Sequence, residues 1–388
     1  MTADRNLALT KEILARLLAF PTLSGTNNLA MIGYLRETLE AAGARIRLYP
    51  DETGEKANLF ATIGPDQPGG IILSGHSDVV PVEGQDWTVP PFALTERNGR
   101  LIGRGAVDMK GFIAAAVAMG TVFAEHRLKR PLHIAVTYDE EITCFGAAAL
   151  AKSLTADGIR PAIAIVGEPT GMGVVEGHKG CYEYTTEFFG LEGHSARPED
   201  GVSAIDYAAR FIARLVELRT ELQIEAQATS RYTPPWTTVH VGRIEGGTAR
   251  NVIARHCRVD WEIRPVRASD ADRVKEAMAT FVSTELKPTM TSIHKDADIV
   301  THTMCEVASL EPAATSEARD LVSSLTGAKT ADVVSFGTEA GFYQDAGISS
   351  IICGPGSIRQ AHMADEFIEE SQLQACLAMF EKLLARML

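Results

Sequence analysis

The sequence predicts an α/β protein: a mostly parallel sheet, with a second, ferredoxin-like α+β domain inserted into it. Three observations predict this. Apolar strand-like runs at residues 71–76, 132–138, 162–166 and 349–353 each lead into glycine, histidine or carboxylate residues. These runs alternate with helical stretches, as strands of a parallel sheet do. Between about residues 179 and 310 the rhythm changes to β-α-β-β-α-β, the order of a ferredoxin-like sandwich. One domain is therefore expected from residues 1–178 and 311–388, and the inserted one from residues 179–310.

Taken in order, Ile13, Leu14, Leu17 and Leu18 mark one face of a first helix, which Pro21 ends. Leu29, Ile32, Leu35 and Leu39 mark a second, stopped by Gly43. Residues 45–49 and 58–63 read as strands, followed by the strand at 71–76. The small-residue stretch from Gly111 to Glu125 reads as a closely packed helix. The strand at 132–138 runs into Asp139-Glu140-Glu141, that at 162–166 into Gly167-Glu168-Pro169, and that at 349–353 into Gly354-Pro355-Gly356, with His362 six residues on. In the inserted segment, strands are expected at 181–189, 236–244, 255–263 and 297–306, and helices at 202–218 and 271–286. A helix near Ser316 resumes the first domain. Gln223 to Pro235 is polar and reads as a loop.

The 388 residues suffice for two or three domains and a large core. A net charge of −13 argues against a nucleic-acid partner, which calls for a basic patch. It leaves a cationic small-molecule substrate open. The six cysteines form no C-x-x-C pair and sit in apolar contexts, so they read as reduced core residues of a cytoplasmic protein. The N-terminus lacks the apolar core of a signal peptide, and no run is apolar and long enough to span a membrane.

In parallel sheets ligands bind outside the carboxyl ends of the strands. His76, Asp108, Glu140, Glu141, Glu168 and His362 all lie at or just beyond such positions. Asp108 stands between a Gly-rich turn and the Ala-rich helix. In H-x-D, one residue of extended chain places His76 and Asp78 on the same side. Asp78 can then hold one imidazole nitrogen while the other binds metal. Two histidines with three carboxylates suit zinc or a similar divalent ion, where calcium prefers oxygen alone. A pair of ions needs a bridging carboxylate, and Asp108, isolated between the other contributions, is the natural bridge. Of the adjacent Glu140 and Glu141, one can bind metal while the other serves as general base. Each feature has an ordinary explanation taken singly: an incidental H-x-D, a solvated Glu-Glu pair, a turn before Pro169, a surface histidine. Their convergence at four strand ends favours a metal centre.

The stretches G-H-S-D-V-V-P-V, G-R-G-A-V-D-M-K-G, Y-D-E-E, V-G-E-P-T, G-H-S-A-R-P and G-P-G-S-I-R-Q-A-H are spread along the chain from Gly75 to His362. In them the sequence resembles the dinuclear zinc amidohydrolases and exopeptidases, the family of carboxypeptidase G, aminoacylase, succinyl-diaminopimelate desuccinylase and acetylornithine deacetylase. The resemblance implies that His76, Asp108 and Glu168 bind one ion and that Asp108, Glu141 and His362 bind the other. It implies that Glu140 is the base, that Asp78 orients His76, and that the Asp108–Met109 peptide is cis. It also implies a homodimer formed through the inserted domain, with His194 reaching the partner's active site. Asn251, Arg264 and Glu339 (in F-G-T-E-A-G-F) correspond to substrate contacts. The implied cofactor is a pair of zinc ions, with cobalt as a substitute. The narrower likeness, in G-Q-D-W, G-H-K-G and C-G-P-G-S-I-R-Q-A-H-M-A-D-E, is to the deacetylase branch. It implies hydrolysis of N2-acetyl-L-ornithine in arginine biosynthesis. Another N-acyl amino acid such as N-succinyl-diaminopimelate, a dipeptide, or a non-catalytic metal-dependent binding role are the alternatives. Ala196 and Ala106-Val107 depart from the usual pattern and bear on substrate preference.

Overall fold

The computed structural model describes residues 2–226 and 228–388. The chain divides into two compact units: Met1–Gly177 with Pro312–Val333 and Thr338–Leu388, and His178–Glu311 with Val334–Gly337.

The chain opens with helices α1 (Thr2–Leu18) and α2 (Leu29–Ala41) and strands β1 (Arg45–Pro50), β2 (Ala57–Ile63) and β3 (Ile71–His76). The short β4 (Thr95–Arg97) and β5 (Arg100–Ile102) precede α3 (Lys110–Ala124), β6 (Leu132–Thr137), α4 (Phe145–Ala156), β7 (Ile163–Pro169) and β8 (Val175–His178). Next come β9 (Cys181–Phe189), α5 (Ala204–Ile224), β10 (Thr238–Gly246), β11 (His256–Arg264), α6 (Ala268–Phe281), α7 (Lys287–Thr291) and β12 (Asp298–Val307). The chain ends with α8 (Glu317–Thr326), β13 (Asp332–Val334), α9 (Ala340–Asp345), β14 (Ser349–Gly354), β15 (Phe367–Glu369) and α10 (Glu370–Met387).

The main sheet has the order β1-β2-β6-β3-β7-β14-β8-β13. Its parallel heart is β6-β3-β7-β14, the four apolar runs of the sequence. β1 and β2 extend it antiparallel on one side, and β8 pairs antiparallel with β14 on the other. Because side chains alternate along a strand, Ile71, Leu73, Ile134, Val136, Ile163, Ile165, Ile351 and Cys353 face one core, shared with α1, α2, α3, α8 and α10. Each such side chain contributes about 1.5–3 kcal/mol when fully buried. The alanines of α3 let it lie close on the sheet; every residue from Lys110 to Gly120 is buried. α4 packs on the other face, where the Asn58 amide donates to the Gly146 carbonyl at 2.8 Å. Helices on both faces bury the parallel strands completely, which is why these strands read as unbroken apolar runs.

The second unit is an antiparallel sheet of order β10-β11-β9-β12. Its core of Tyr182, Tyr184, Phe188, Trp261, Ile263 and Ile299 is covered by α5 and α6, through Phe211, Leu215 and Val274. This is the ferredoxin-like arrangement. The second helix departs from the continuous 271–286 helix expected from the sequence: α6 stops at Phe281 and a π-turn spans Val282–Leu286. The small sheet β15-β5-β4 was also not anticipated, because strands of three residues are too short to show a period. The cysteines are unpaired; Cys181 is half-buried and the others are buried. No helix among the described residues is long and apolar enough to cross a membrane.

Candidate metal centre

The carboxyl ends of the parallel strands deliver the site. His76 is the last residue of β3, Glu140 and Glu141 follow β6, and Glu168 lies near the end of β7. Asp108 precedes α3, and His362 lies in the segment after β14. Gly167 lets β7 pass under α3, since a Cβ there would stand 2.0 Å from Cγ of Phe112.

Asp108 faces both ways. Its Oδ1 lies 3.0 Å from His76 Nε2, and its Oδ2 lies 3.3 Å from His362 Nε2. His76 Nε2 also lies 3.7 Å from Glu168 Oε1, and His362 Nε2 lies 3.0 Å from Glu141 Oε2. Two donor sets result, His76/Asp108/Glu168 and Asp108/Glu141/His362, each with its atoms within 4.8 Å of one another. Asp108 belongs to both. Glu140 belongs to neither, although it adjoins Glu141. The Asp108–Met109 peptide is cis.

The residues fit a pair of divalent ions. His76 Nδ1 donates to the Asp78 backbone carbonyl at 3.0 Å, which leaves Nε2 as the ring nitrogen that faces the Asp108 and Glu168 carboxylates and is free to bind metal. A cation placed among these donor atoms would satisfy them all. Glu168 Oε1 is buried and has no hydrogen-bond partner. Burial and the neighbouring Asp108 charge raise Glu168, and burial likewise raises Glu140 and Glu141. Burial would raise Asp108 too, but hydrogen bonds from His362 and His76 outweigh it and hold it below the usual carboxylate range. Hydrogen bonds to Asp108 and Glu141 push His362 up to about 10. These mutual perturbations are those of several carboxylates and two imidazoles crowded into one buried site.

Asp78 differs from expectation in how it acts. Its carboxylate Oδ1 is 3.6 Å from His76 Nδ1, farther than its own backbone carbonyl. That carboxylate instead accepts from the Glu140 and Glu141 backbone N–H groups, at 3.0 and 3.3 Å, and from the Ser24 hydroxyl at 2.8 Å. It therefore ties the Glu-Glu turn to the end of β3.

Glu339 is also placed differently. It is fully buried, and its carboxylate accepts from the Ser74 and Thr137 hydroxyls, so no face is left for a substrate. In the second unit, His194 is exposed and its Nδ1 accepts from the Ala196 N–H at 3.1 Å, which leaves the proton on Nε2. Asn251 lies beside it: its carbonyl accepts from the Ser195 N–H at 3.2 Å. Arg264 is not brought to them. It ends β11, a nine-residue strand of about 3.3 Å per residue that begins beyond Asn251, and its guanidinium is engaged by Glu262 at 2.8 Å.

Sequence reasoning missed the support beneath Asp108. Glu366 Oε1 accepts from the Val107 and Asp108 N–H groups at 3.0 and 3.2 Å. Its other oxygen accepts from Arg104 at 2.6 Å, and both side chains are buried. Arg104 also donates to Gln85, whose amide donates to the His362 carbonyl at 3.0 Å. The signal was present in the same motifs: Arg104 stands in G-R-G-A-V-D, and Glu366 closes H-M-A-D-E.

Fold and centre together define a two-metal hydrolase. Residues 72–386 match the Peptidase family M20/M25/M40, and the chain belongs to that family. It is a metal-dependent amidohydrolase with a dinuclear divalent-metal site. It is 36% identical over 367 residues to acetylornithine deacetylase of Photorhabdus laumondii subsp. laumondii, covering 93% of this chain and 92% of that one. It is 36% identical over 388 residues to acetylornithine deacetylase of Myxococcus xanthus, covering 97% and 96%. Among solved structures, a tripeptidase from Staphylococcus aureus superposes with a TM-score of 0.72 at 18% identity, covering 98% of this chain and 99% of the other.

Proposed function

We propose that this protein hydrolyses the N-acetyl amide of N2-acetyl-L-ornithine, giving acetate and L-ornithine in arginine biosynthesis, as a cytoplasmic homodimer loaded with zinc or cobalt. The identity across more than nine-tenths of the length of two acetylornithine deacetylases supports the substrate. The observation that carries amide hydrolysis is a carboxylate, Glu140, held beside two donor sets that share Asp108 and belonging to neither.

When bound, a pair of divalent ions supplies Lewis acidity that polarises the acyl carbonyl and acidifies water toward a pKa of about 7. Glu140 takes a proton from the attacking water as its oxygen bonds to the acyl carbon. It returns that proton to the amide nitrogen as the C–N bond breaks. Asp78, through two backbone N–H groups, fixes where Glu140 and Glu141 start. His194, with its proton on Nε2, is suited to donate to the oxyanion formed at the carbonyl, with Asn251 beside it as a substrate contact.

The test is product analysis on a panel of N-acetyl, N-succinyl and N-formyl amino acids and dipeptides, with metal-loaded enzyme. Preference by at least tenfold in kcat/KM for N2-acetyl-L-ornithine is expected. Faster turnover of an N-succinyl substrate or a dipeptide would move the assignment to another branch of the family.

A further inference from the structure

A second cluster of metal-binding side chains lies in the ferredoxin-like unit. Along β9, Tyr182, Tyr184 and Phe188 point into the core beneath the helices. Cys181 and Glu183, two residues apart, therefore share the opposite face. Cys305 joins them because β12 carries a bulge. Thr303 pairs with Tyr184, so an unbroken ladder would set Met304 against Glu183 and Cys305 against Tyr182, on the core face. Instead the register slips between Thr303 and Cys305, and Cys305 pairs with Glu183. Met304, the extra residue, is 50% exposed. A one-residue slip exchanges the faces of a strand, and here it turns a thiol toward a thiol and a carboxylate.

The donor atoms of Cys181, Glu183 and Cys305 all lie within 4.8 Å of one another, and Cys181 Sγ is 3.5 Å from Glu183 Oε1. Tetrahedral zinc with bonds of about 2.0–2.3 Å sets its ligands roughly 3.3–3.8 Å apart. The geometry is thus near closure without backbone movement. The thiols are not joined as a disulfide. The Cys181 thiol donates to Glu183 and the Cys305 thiol to the Cys181 backbone carbonyl at 3.9 Å, and the interaction of the two neighbouring sulfurs holds the Cys305 thiol below its ordinary value and raises that of Cys181. Arg264 Nη2 lies 3.8 Å from Glu183 Oε1. Two thiolates, one carboxylate and a divalent ion leave one negative charge, and this guanidinium, which Glu262 also engages, lies beside it. Of the three donors, Glu183 borders a cavity of about 420 Å³ that His240, Glu262 and Met304 also line.

We propose that Cys181, Glu183 and Cys305 form a metal site separate from the hydrolytic centre, selecting thiophilic ions such as zinc, cadmium or copper(I). Three protein donors leave a fourth position for water or an external ligand, and binding a divalent ion releases the thiol protons. The hydrolytic centre offers only nitrogen and oxygen donors, so the two kinds of site differ in softness. The ion would clamp the edge strand β12 to β9 at the bulge. The proposal is independent of the substrate assignment.

The test is cobalt titration of fully reduced, metal-free protein, following metal stoichiometry and near-ultraviolet absorption. Sulfur-to-cobalt charge transfer reports thiolate ligation, which nitrogen and oxygen donors cannot give. Three equivalents are expected in the unmodified chain, one of them accompanied by this absorption. Cys181→Ser and Cys305→Ser, each folded by circular dichroism, should take up two equivalents without it. A plateau at two equivalents with no charge-transfer absorption in the unmodified chain would overturn the proposal. So would an absorption that persists in both variants, which would point to Cys144, whose sulfur lies 3.6 Å from Glu140 Oε1.

Discussion

In the proposed reaction two neighbouring glutamates divide the chemistry, and single substitutions test that division. Glu141 faces His362 within one donor set, whereas Glu140 stands outside both sets. Glu140→Gln keeps shape and removes the proposed base, so kcat should fall by about 10²–10⁴ while KM and metal content stay near the unmodified values. Glu141→Gln should instead lose metal, and excess zinc should restore part of its activity. Loss of metal from the first variant and full loading of an inactive second would exchange the two roles. Far from the centre, His133 is buried against Phe60, with ring centroids 4.7 Å apart, and burial lowers its pKa to about 4. Its folded-state value lies below the unfolded value of 6.5, so the native state favours the neutral ring. Stability is complete above pH 6.5 and declines as pH falls toward 4, by at most roughly 3 kcal/mol. His133→Phe should flatten that part of the stability–pH curve, measured by urea unfolding; an unchanged slope would place the titration elsewhere. At this scale the sequence made the ligand types legible, since histidines and carboxylates converge at four strand ends although each alone has an ordinary explanation. It did not make Asp78's partners legible, because they are backbone N–H groups, and every residue but proline offers one.

At the scale of elements, strand ends do two things at once: they stop the sheet and they aim a ligand. Gly167 serves both. A methyl group there would meet the ring of Phe112, which is held edge-to-face against Phe380 at 5.7 Å. Gly167→Ala should therefore cost about 1–3 kcal/mol through overpacking. The shift at the end of β7 should displace Glu168, so the His76/Asp108/Glu168 set should lose affinity while the Asp108/Glu141/His362 set retains it. Isothermal titration with zinc would resolve the two, and adding Phe112→Ala should recover much of the lost affinity by removing the clash. A Gly167→Ala protein with two unchanged affinities would show that β7 tolerates the methyl group. The four parallel strands were legible because burial on both faces makes them continuously apolar. β4, β5 and β15 were not, although β15 directly follows Glu366 and helps fix the segment that underpins Asp108.

For the whole molecule, the inserted unit announced itself by a change of rhythm, and its sheet order follows from β-α-β-β-α-β connectivity. Pairings between distant segments carried no such signal: Arg104 and Glu366 meet across 262 residues of sequence, each looking like an ordinary charged residue in a glycine-rich or acidic stretch. The same limit applies to His194, which the resemblance assigns to a partner's active site and which belongs to the second unit. Its exposed ring and the Ala196 N–H that fixes its tautomer suit a donor waiting for a substrate oxyanion. If it acts across a homodimer, defects in His194 and Glu140 lie in different chains' contributions to one site. His194→Ala and Glu140→Ala proteins, each inactive alone, should then complement after subunit exchange. Each mixed dimer would hold one site with both residues intact, so an equimolar mixture under random pairing should regain roughly a quarter of unmodified activity. Exchange would be followed independently with differently tagged chains. Full exchange without recovery would mean that His194 acts within its own chain or takes no part in the reaction.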